Sequence, residues 1–266
     1  MQSDEHGCAC ERWRVQAVEG CGEGIVARRR IDAGSVVLSD HSVMRVEITP
    51  MHDDQQDEST ASAAHGTSVP VLTMESAPNA AAASVPLLAR LMATLTASMQ
   101  PDSSALDRRL GALVRRLAWE PLDVLRERDA GSADFLAVAA QAFVTATDSD
   151  PSRTPLLVSL AERLLSALKL NSFLGRDSTD DRRQYVMLLP LMAAVNHSCR
   201  PNATLRDNSL VAIRDIEPSE QICISYLNDS DLRADVRTRQ AKLYHSWGFQ
   251  CRCARCNDEQ NDSSDV

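Results

Sequence analysis

The chain has 266 residues, of which 44 % are hydrophobic and 24 % charged, enough to bury a core of its own in one large domain. Its formal net charge is −9, its pI is near 5.2, and no long Lys/Arg run occurs. An acidic surface gains nothing from counterion release, so direct nucleic-acid binding is excluded as an expectation, and a basic protein segment is the favoured partner.

The first residues, Met1 to His6, are polar and carry no apolar signal region. No run of about 18 apolar residues follows, so neither export nor membrane spanning is expected. The chain reads as intracellular, cytoplasmic or nuclear. The tripeptides Asn196-His197-Ser198 and Asn202-Ala203-Thr204 fit the glycosylation pattern, but inside the cell they would carry no sugar. Eight cysteines in a reducing compartment are metal ligands, reactive thiols or buried apolar residues rather than disulfides. Cys8 and Cys10, with His6, form a minor ligand candidate at the start of the chain.

In chain order, the first block reads as short strands: Trp13 to Val18, Gly24 to Arg30, Ser35 to Leu38 and Val43 to Ile48, with Gly20, Gly22 and Gly34 at the turns. Residues from about Pro50 to Pro86 are rich in Ala, Ser, Thr and Asp and poor in large apolar side chains, and read as a disordered loop. From Leu87 to Leu170 the pattern is helical, broken at Pro101, Pro121, Gly131 and Pro151. Its last piece is the clearest. Thr154 is the expected N-cap, Pro155 the first helical residue, and Leu156, Leu157, Leu160, Leu164, Leu165 and Leu168 the apolar stripe.

Strands return at Tyr185 to Leu189, Ala203 to Arg206, Ser209 to Ile213 and Gln221 to Tyr226, the middle two joined by the turn-forming pair Asp207-Asn208. A polar helix from Leu232 to Tyr244 leads to Cys251-x-Cys253-x-x-Cys256. No useful internal repeat is visible, although Ile31-x-x-Gly34 and Ile216-x-x-Ser219 read as two turns of similar shape.

The segment Val195-Asn196-His197-Ser198-Cys199-Arg200-Pro201-Asn202, the tract Glu220 to Tyr226 and the cysteine trio together resemble the SET-domain family of protein methyltransferases, and more closely its SET-and-MYND branch. The resemblance covers roughly residues 13–48 and 165–257. The eight-ligand MYND zinc module and the C-terminal helical domain of that branch have no counterpart in this sequence. The implied fold is α+β: a β-rich SET fold of small sheets with a C-terminal pseudoknot, a large helical insertion and a zinc-bound tail. The SET domain would span 12–250, split by a loop at about 50–86 and helices at 87–170, with the cysteine tail at 247–257.

The resemblance implies S-adenosylmethionine as cofactor, one structural zinc ion, and methyl transfer to the side-chain amine of an accessible lysine in a protein substrate. It implies Tyr226 as the catalytic tyrosine. Gly22, Glu23, Gly24, Asn171, Asn196, His197, Tyr226 and Phe249 would contact the cofactor, Leu189 and Trp247 the lysine channel, and Cys199 would join Cys251, Cys253 and Cys256 as the fourth zinc ligand. An Asn amide both donates and accepts, which suits a cofactor with an amino-acid group and an adenine edge. Four thiolates leave no open position for water, so the zinc would be structural.

This sequence departs from that branch at several positions. Cys21 stands where a basic residue is frequent, Glu23 where an amide or similar residue is, Leu189 where an aromatic is, Trp247 where a tyrosine is, and Ser219 where a glycine is. The residues taken alone leave other readings open. Gly22-Glu23-Gly24 can be a plain hairpin turn, Tyr226 the end of an amphipathic strand, and the cysteine trio free thiols or a metal site that does without Cys199. At the level of function, a catalytically inactive SET-fold interaction module stabilised by zinc is the alternative, and a zinc-stabilised binding module with no affinity for S-adenosylmethionine is a third reading.

Overall fold

A computed structural model of the chain describes residues 9–40, 44–48, 78–104, 108, 111–112, 114–147, 150–176, 184–189, 191–206 and 208–262. His6, Cys8 and most of the 50–86 loop fall outside these residues, as does the side chain of Cys10. A short helix α1 (Ala9–Arg12) precedes four strands, β1 (Trp13–Val18), β2 (Gly22–Ala27), β3 (Val36–Ser39) and β4 (Met44–Ile48). Helices α2 (Pro78–Met99), α3 (Leu122–Arg128), α4 (Ala130–Thr147) and α5 (Thr154–Asn171) follow. The chain then returns to strands β5 (Ser172–Arg176), β6 (Gln184–Leu188), β7 (Asn196–His197), β8 (Ala203–Arg206), β9 (Ser209–Ala212) and β10 (Gln221–Ile224), and ends in α6 (Asp229–Arg233), α7 (Val236–Trp247) and α8 (Ala254–Asp262).

Among the described residues the strands form three small sheets, ordered β1-β2-β10-β7, β3-β9-β8 and β4-β6-β5. Neighbours run antiparallel except β7 and β10, which run parallel with Asn196 opposite Cys223 and His197 opposite Ile224. β8 and β9 form the expected hairpin, Arg206 facing Ser209. The two similar turns face each other: Ile31 bridges Ile216, and Gly34 and Ser219 both take left-handed φ, at 81° and 68°. Only glycine enters that region freely, so Ser219 carries a backbone cost of roughly 1 kcal/mol.

Two aliphatic cores result. One joins α2, α4 and α5 to β6 through Leu87, Leu88, Leu91, Leu136, Leu165 and Leu188. The other fills the space between the sheets with Ile25, Leu38, Leu205, Leu210, Ile216 and Ile222. A smaller cluster under the C-terminus contains Leu227, Leu243 and the buried cysteines.

Several boundaries differ from expectation. The helical region begins at Pro78, inside the expected loop, because the run Ala80 to Ala83 has the highest helix propensity of any residue type. On α5, Arg153 is the N-cap and Thr154 the first helical residue, its hydroxyl bonded back to the Asp150 carbonyl. Leu156 is solvent-exposed, lying roughly 100° around the helix from Leu157 and off the stripe that Ala161, Leu164, Leu165 and Leu168 continue into the core. The single expected helix 232–244 is two, because the Asn228 and Asp235 side chains each start one by accepting from the N–H three residues ahead. Strand β5 and helix α8 lie where no element was expected.

Candidate active site and cysteine cluster

A cavity of about 990 Å³ opens where the sheets, the helical region and the C-terminal turn meet. Its walls come from residues 18–23, 116–118, 170–173, 191–198, parts of β10, and 247–253. Gly22, Glu23, Asn171, Asn196, His197, Tyr226, Trp247 and Phe249 all face it.

Gly22 and Gly24 do different jobs. Gly22, at φ 72°, serves the β1–β2 turn, which a Cys21 N–H to Val18 carbonyl bond of 3.0 Å closes. Gly24 sits just behind the wall, where an added Cβ would lie 2.7 Å from Asn196 Nδ2, 2.9 Å from Gln221 Nε2 and 2.9 Å from Val18 Cγ2. Without that Cβ, Asn196 reaches the strand and donates from Nδ2 to the Glu23 carbonyl at 3.0 Å.

His197 is buried, and its Nδ1 accepts the Tyr226 N–H at 2.9 Å. Burial lowers its pKa to about 4, so the ring is neutral and its proton sits on Nε2, 3.3 Å from Cys199 Sγ. One histidine thereby fixes both the end of β10 and the first cysteine. The Tyr226 hydroxyl donates to the Val195 carbonyl at 2.8 Å. Burial raises its pKa well above the phenol range, so it stays protonated, with its proton engaged by Val195. Its ring leans on Trp247 (centroids 5.3 Å apart) and His197 (5.4 Å), with Phe249 edge-on at 6.3 Å.

Cys223 also faces the cavity, but burial pushes its thiol up to about 12, which removes it as a nucleophile. Asn171 is committed elsewhere: its Nδ2 donates to the carbonyls of Ala118 and Ala167, both at 2.7 Å. It ties α5 to the 116–118 wall. Leu189 differs from expectation. It is fully enclosed in the inter-sheet core and does not face the cavity, whereas Leu191 and Met192 do.

Cys199, Cys251, Cys253 and Cys256 converge with every sulfur within 4.8 Å of the others, and Cys199 and Cys256 are 3.6 Å apart. A tetrahedral zinc with Zn–S bonds of roughly 2.3 Å needs sulfur edges of about 3.8 Å, so the four fit such an ion. Gln240 of α7 fixes the loop by bonding both the N–H (2.7 Å) and the carbonyl (2.6 Å) of Cys251.

Sequence reasoning missed Arg239, which is fully buried and donates to the Ala234 carbonyl, to Glu259 at 2.8 Å and to Cys256 Sγ at 3.6 Å. It also missed Arg116, whose guanidinium forks onto Glu23 at 2.7 and 2.8 Å across the cavity mouth. Ser172 and Gln221 were missed as well. Ser172 Oγ, Gln221 Nε2 and Trp247 Nε1 are buried on cavity-facing residues and have no hydrogen-bond partner among the described residues. Buried polar atoms without partners are costly, and among the described residues the same holds for Trp13 Nε1 and Arg239 Nε, whose residues do not line the cavity.

Residues 22–227 match the family model for the SET domain. The chain is similar to the potential protein lysine methyltransferase SET6 of Saccharomyces cerevisiae, 36 % identical over 39 % of this chain and 32 % of that protein. It is also similar to the histone-lysine N-methyltransferase SMYD3 of Mus musculus, 31 % identical over 48 % of this chain and 30 % of that protein. It thus spans about a third of the length of the curated relatives it matches. Among solved structures, the SET domain of LSMT bound to lysine and AdoHcy aligns at a TM-score of 0.45 and 12 % identity, over 91 % of this chain and 53 % of that one. With the family model spanning most of its length, from the β1–β2 turn to the residue after Tyr226, the chain belongs to the SET-domain family.

Proposed function

We propose that this chain transfers a methyl group from S-adenosylmethionine to the side-chain amine of a lysine in a protein substrate. The observation that carries this reading is the cavity itself. Its walls bring together the β1–β2 turn at Gly22 and Glu23, the Asn196-His197 pair, and Tyr226, a neutral tyrosine with a fixed hydroxyl. Gly22, Glu23, Gly24, Asn171, Asn196, His197 and Phe249 form the cofactor side, largely through backbone, with Ser172 and Gln221 added from the geometry. When bound, S-adenosylmethionine supplies a sulfonium methyl that a neutral amine takes by in-line displacement.

The work of the chain is then positioning. The Tyr226 oxygen accepts an N–H of the amine while Val195 keeps the phenol proton out of the way, so the nitrogen lone pair is aimed rather than activated by a base. Trp247 offers an aromatic face for the alkyl stem. Leu191 and Met192 take the wall position expected of Leu189. The four cysteines would hold a structural zinc ion, and Arg239, which also pairs with Glu259, would offset part of its two excess negative charges. Zinc thiolates need a reducing compartment, so we place the protein inside the cell, in cytoplasm or nucleus. Among the described residues no helix is long and apolar enough to cross a membrane. The charge of −9 favours a basic substrate segment and disfavours nucleic acid.

A catalytically silent SET module is the second reading. It is favoured by Glu23, which puts a carboxylate on the wall and occupies Arg116. Transfer of labelled methyl to mixed cellular protein decides between them. Label on lysine that falls at least tenfold in Tyr226→Phe supports the enzyme, a loss of roughly 1.4 kcal/mol or more of transition-state stabilisation. Cofactor bound by calorimetry with no label from the wild type supports the silent module.

A further inference from the structure

Two walls of the cavity come from distant parts of the chain: the 116–118 segment before α3, and the 247–253 turn after α7. Behind them, outside the cavity, lies Arg128, the last residue of α3, with its side chain 5 % exposed. Its two Nη atoms each donate to one carboxylate oxygen of Glu120, two residues beyond the first wall. Its Nε donates at 3.1 Å to the His245 carbonyl, in the last turn of α7.

Gly248 packs directly on the guanidinium, since an added Cβ there would sit 3.1 Å from Arg128 Cζ. Gly248 takes φ 75° and ends α7 with an N–H bond of 2.8 Å to the Tyr244 carbonyl; Trp247 and Phe249 flank it. Glu120 is anchored from the other side. Ser166 Oγ of α5 accepts its N–H at 3.1 Å and donates to its carbonyl at 2.7 Å. A planar guanidinium whose three nitrogens each donate to a fixed acceptor is a rigid joint that lysine cannot reproduce.

We propose that the Arg128–Glu120 ion pair is a clasp through which the helical region positions Trp247 and Phe249 over the cavity. Arg128 is a positioning residue: it touches the backbone that carries the two aromatics and no cavity-facing side chain of its own. The link to cofactor affinity rests on the proposed methyltransferase reading, whereas the mechanical link between helical region and C-terminal turn does not.

The test uses the full chain, loaded with zinc, as wild type, Arg128→Gln, Arg128→Lys and Glu120→Gln. Hydrogen exchange of the 244–250 amides and S-adenosylhomocysteine affinity by calorimetry are measured on each, with zinc content as the check on the cysteine cluster. The clasp predicts at least tenfold faster exchange at 244–250 and about tenfold weaker binding in Arg128→Gln and Glu120→Gln, smaller changes in Arg128→Lys, and unchanged zinc. Wild-type exchange at 244–250 in either charge-removing variant overturns the clasp. Should Arg128→Gln not fold, the isosteric Glu120→Gln decides. A wild type that binds no S-adenosylhomocysteine defeats the functional reading instead, and the exchange data still decide the clasp.

Discussion

The helical region and the C-terminal third are organised by different physics. From α2 to α5, position is set mainly by aliphatic packing, with Leu87, Leu88, Leu91, Leu125 and Leu165 all but fully buried, and a few buried polar groups such as Ser166 and Asn171 tie the helices to their neighbours. From β7 to α8, position is set by directed bonds. His197 holds Tyr226 and Cys199, Asn202 accepts from the Cys223 N–H and donates to the Gln221 carbonyl, Gln240 brackets Cys251, and four thiols converge. Packing tolerates shape changes at graded cost, whereas directed bonds fail singly. The groups proposed to position the amine and hold zinc belong to the second kind of structure.

The largest expected effect is on the cysteine cluster. Structural zinc in small modules contributes on the order of 10 kcal/mol of apparent folding energy, so Cys253→Ser or a strong chelator should unfold the 247–262 region and abolish zinc binding. Helical circular dichroism should persist in large part, because the core joining α2, α4 and α5 shares no side chain with the cysteine cluster. Complete loss of that signal on chelation would show that the two regions are one cooperative unit.

The reciprocal change is Leu165→Ala. Truncating a fully buried leucine leaves a cavity in the helical core and should cost about 2–5 kcal/mol in urea denaturation. Zinc stoichiometry should remain at one ion. Zinc loss in a Leu165→Ala protein that is still folded would mean that the packing of α5 sets the sulfur positions.

The two regions were also unequally legible. The cysteine trio, Cys199, the Asn196-His197 pair and Tyr226 could be named from spacing and resemblance, and all of them meet in space, because side chains that make directed bonds must be specific residue types. Gly24 shows the same effect: only a residue without a Cβ fits against Asn196. Strands Trp13–Val18 and Ala203–Arg206 were legible to the residue from alternation and turn chemistry. Leu189 was misplaced because a leucine carries no sign of which side of a wall it occupies, and the inter-sheet core took it. Arg128, Glu120 and Arg116 were invisible for a different reason. Each acts across 8 to 117 residues of sequence, and a charged residue in a polar segment looks like surface until its partner is located.

The smallest effect separates the regions by acid. Glu220 anchors the sheet region by accepting from Arg214 (2.5 Å), Asn202 Nδ2 (2.9 Å) and the Glu217 N–H (3.0 Å). Burial alone would raise its pKa, but these bonds outweigh it and leave the carboxyl below its ordinary 4.5. Asp129 does the same for the helical region through the Ser132 N–H (3.0 Å) and Lys169 (3.3 Å), ending below 3.8 against a similar burial penalty. In both, the folded pKa is depressed, so the stabilisation is fully present above the unfolded value. It is lost as pH falls through the folded one. The loss therefore sets in near pH 4.5 for Glu220 and near pH 3.8 for Asp129. Each is worth about 1 kcal/mol, the scale of a partly exposed ion pair. Urea denaturation between pH 7 and 2.5 should show both Glu220→Gln and Asp129→Asn less stable than wild type at neutral pH, the first difference beginning to shrink below pH 4.5 and the second only below pH 3.8. If the two variants converge with wild type at the same pH, the carboxylates report one shared electrostatic field, and the two regions are less separate than their packing makes them.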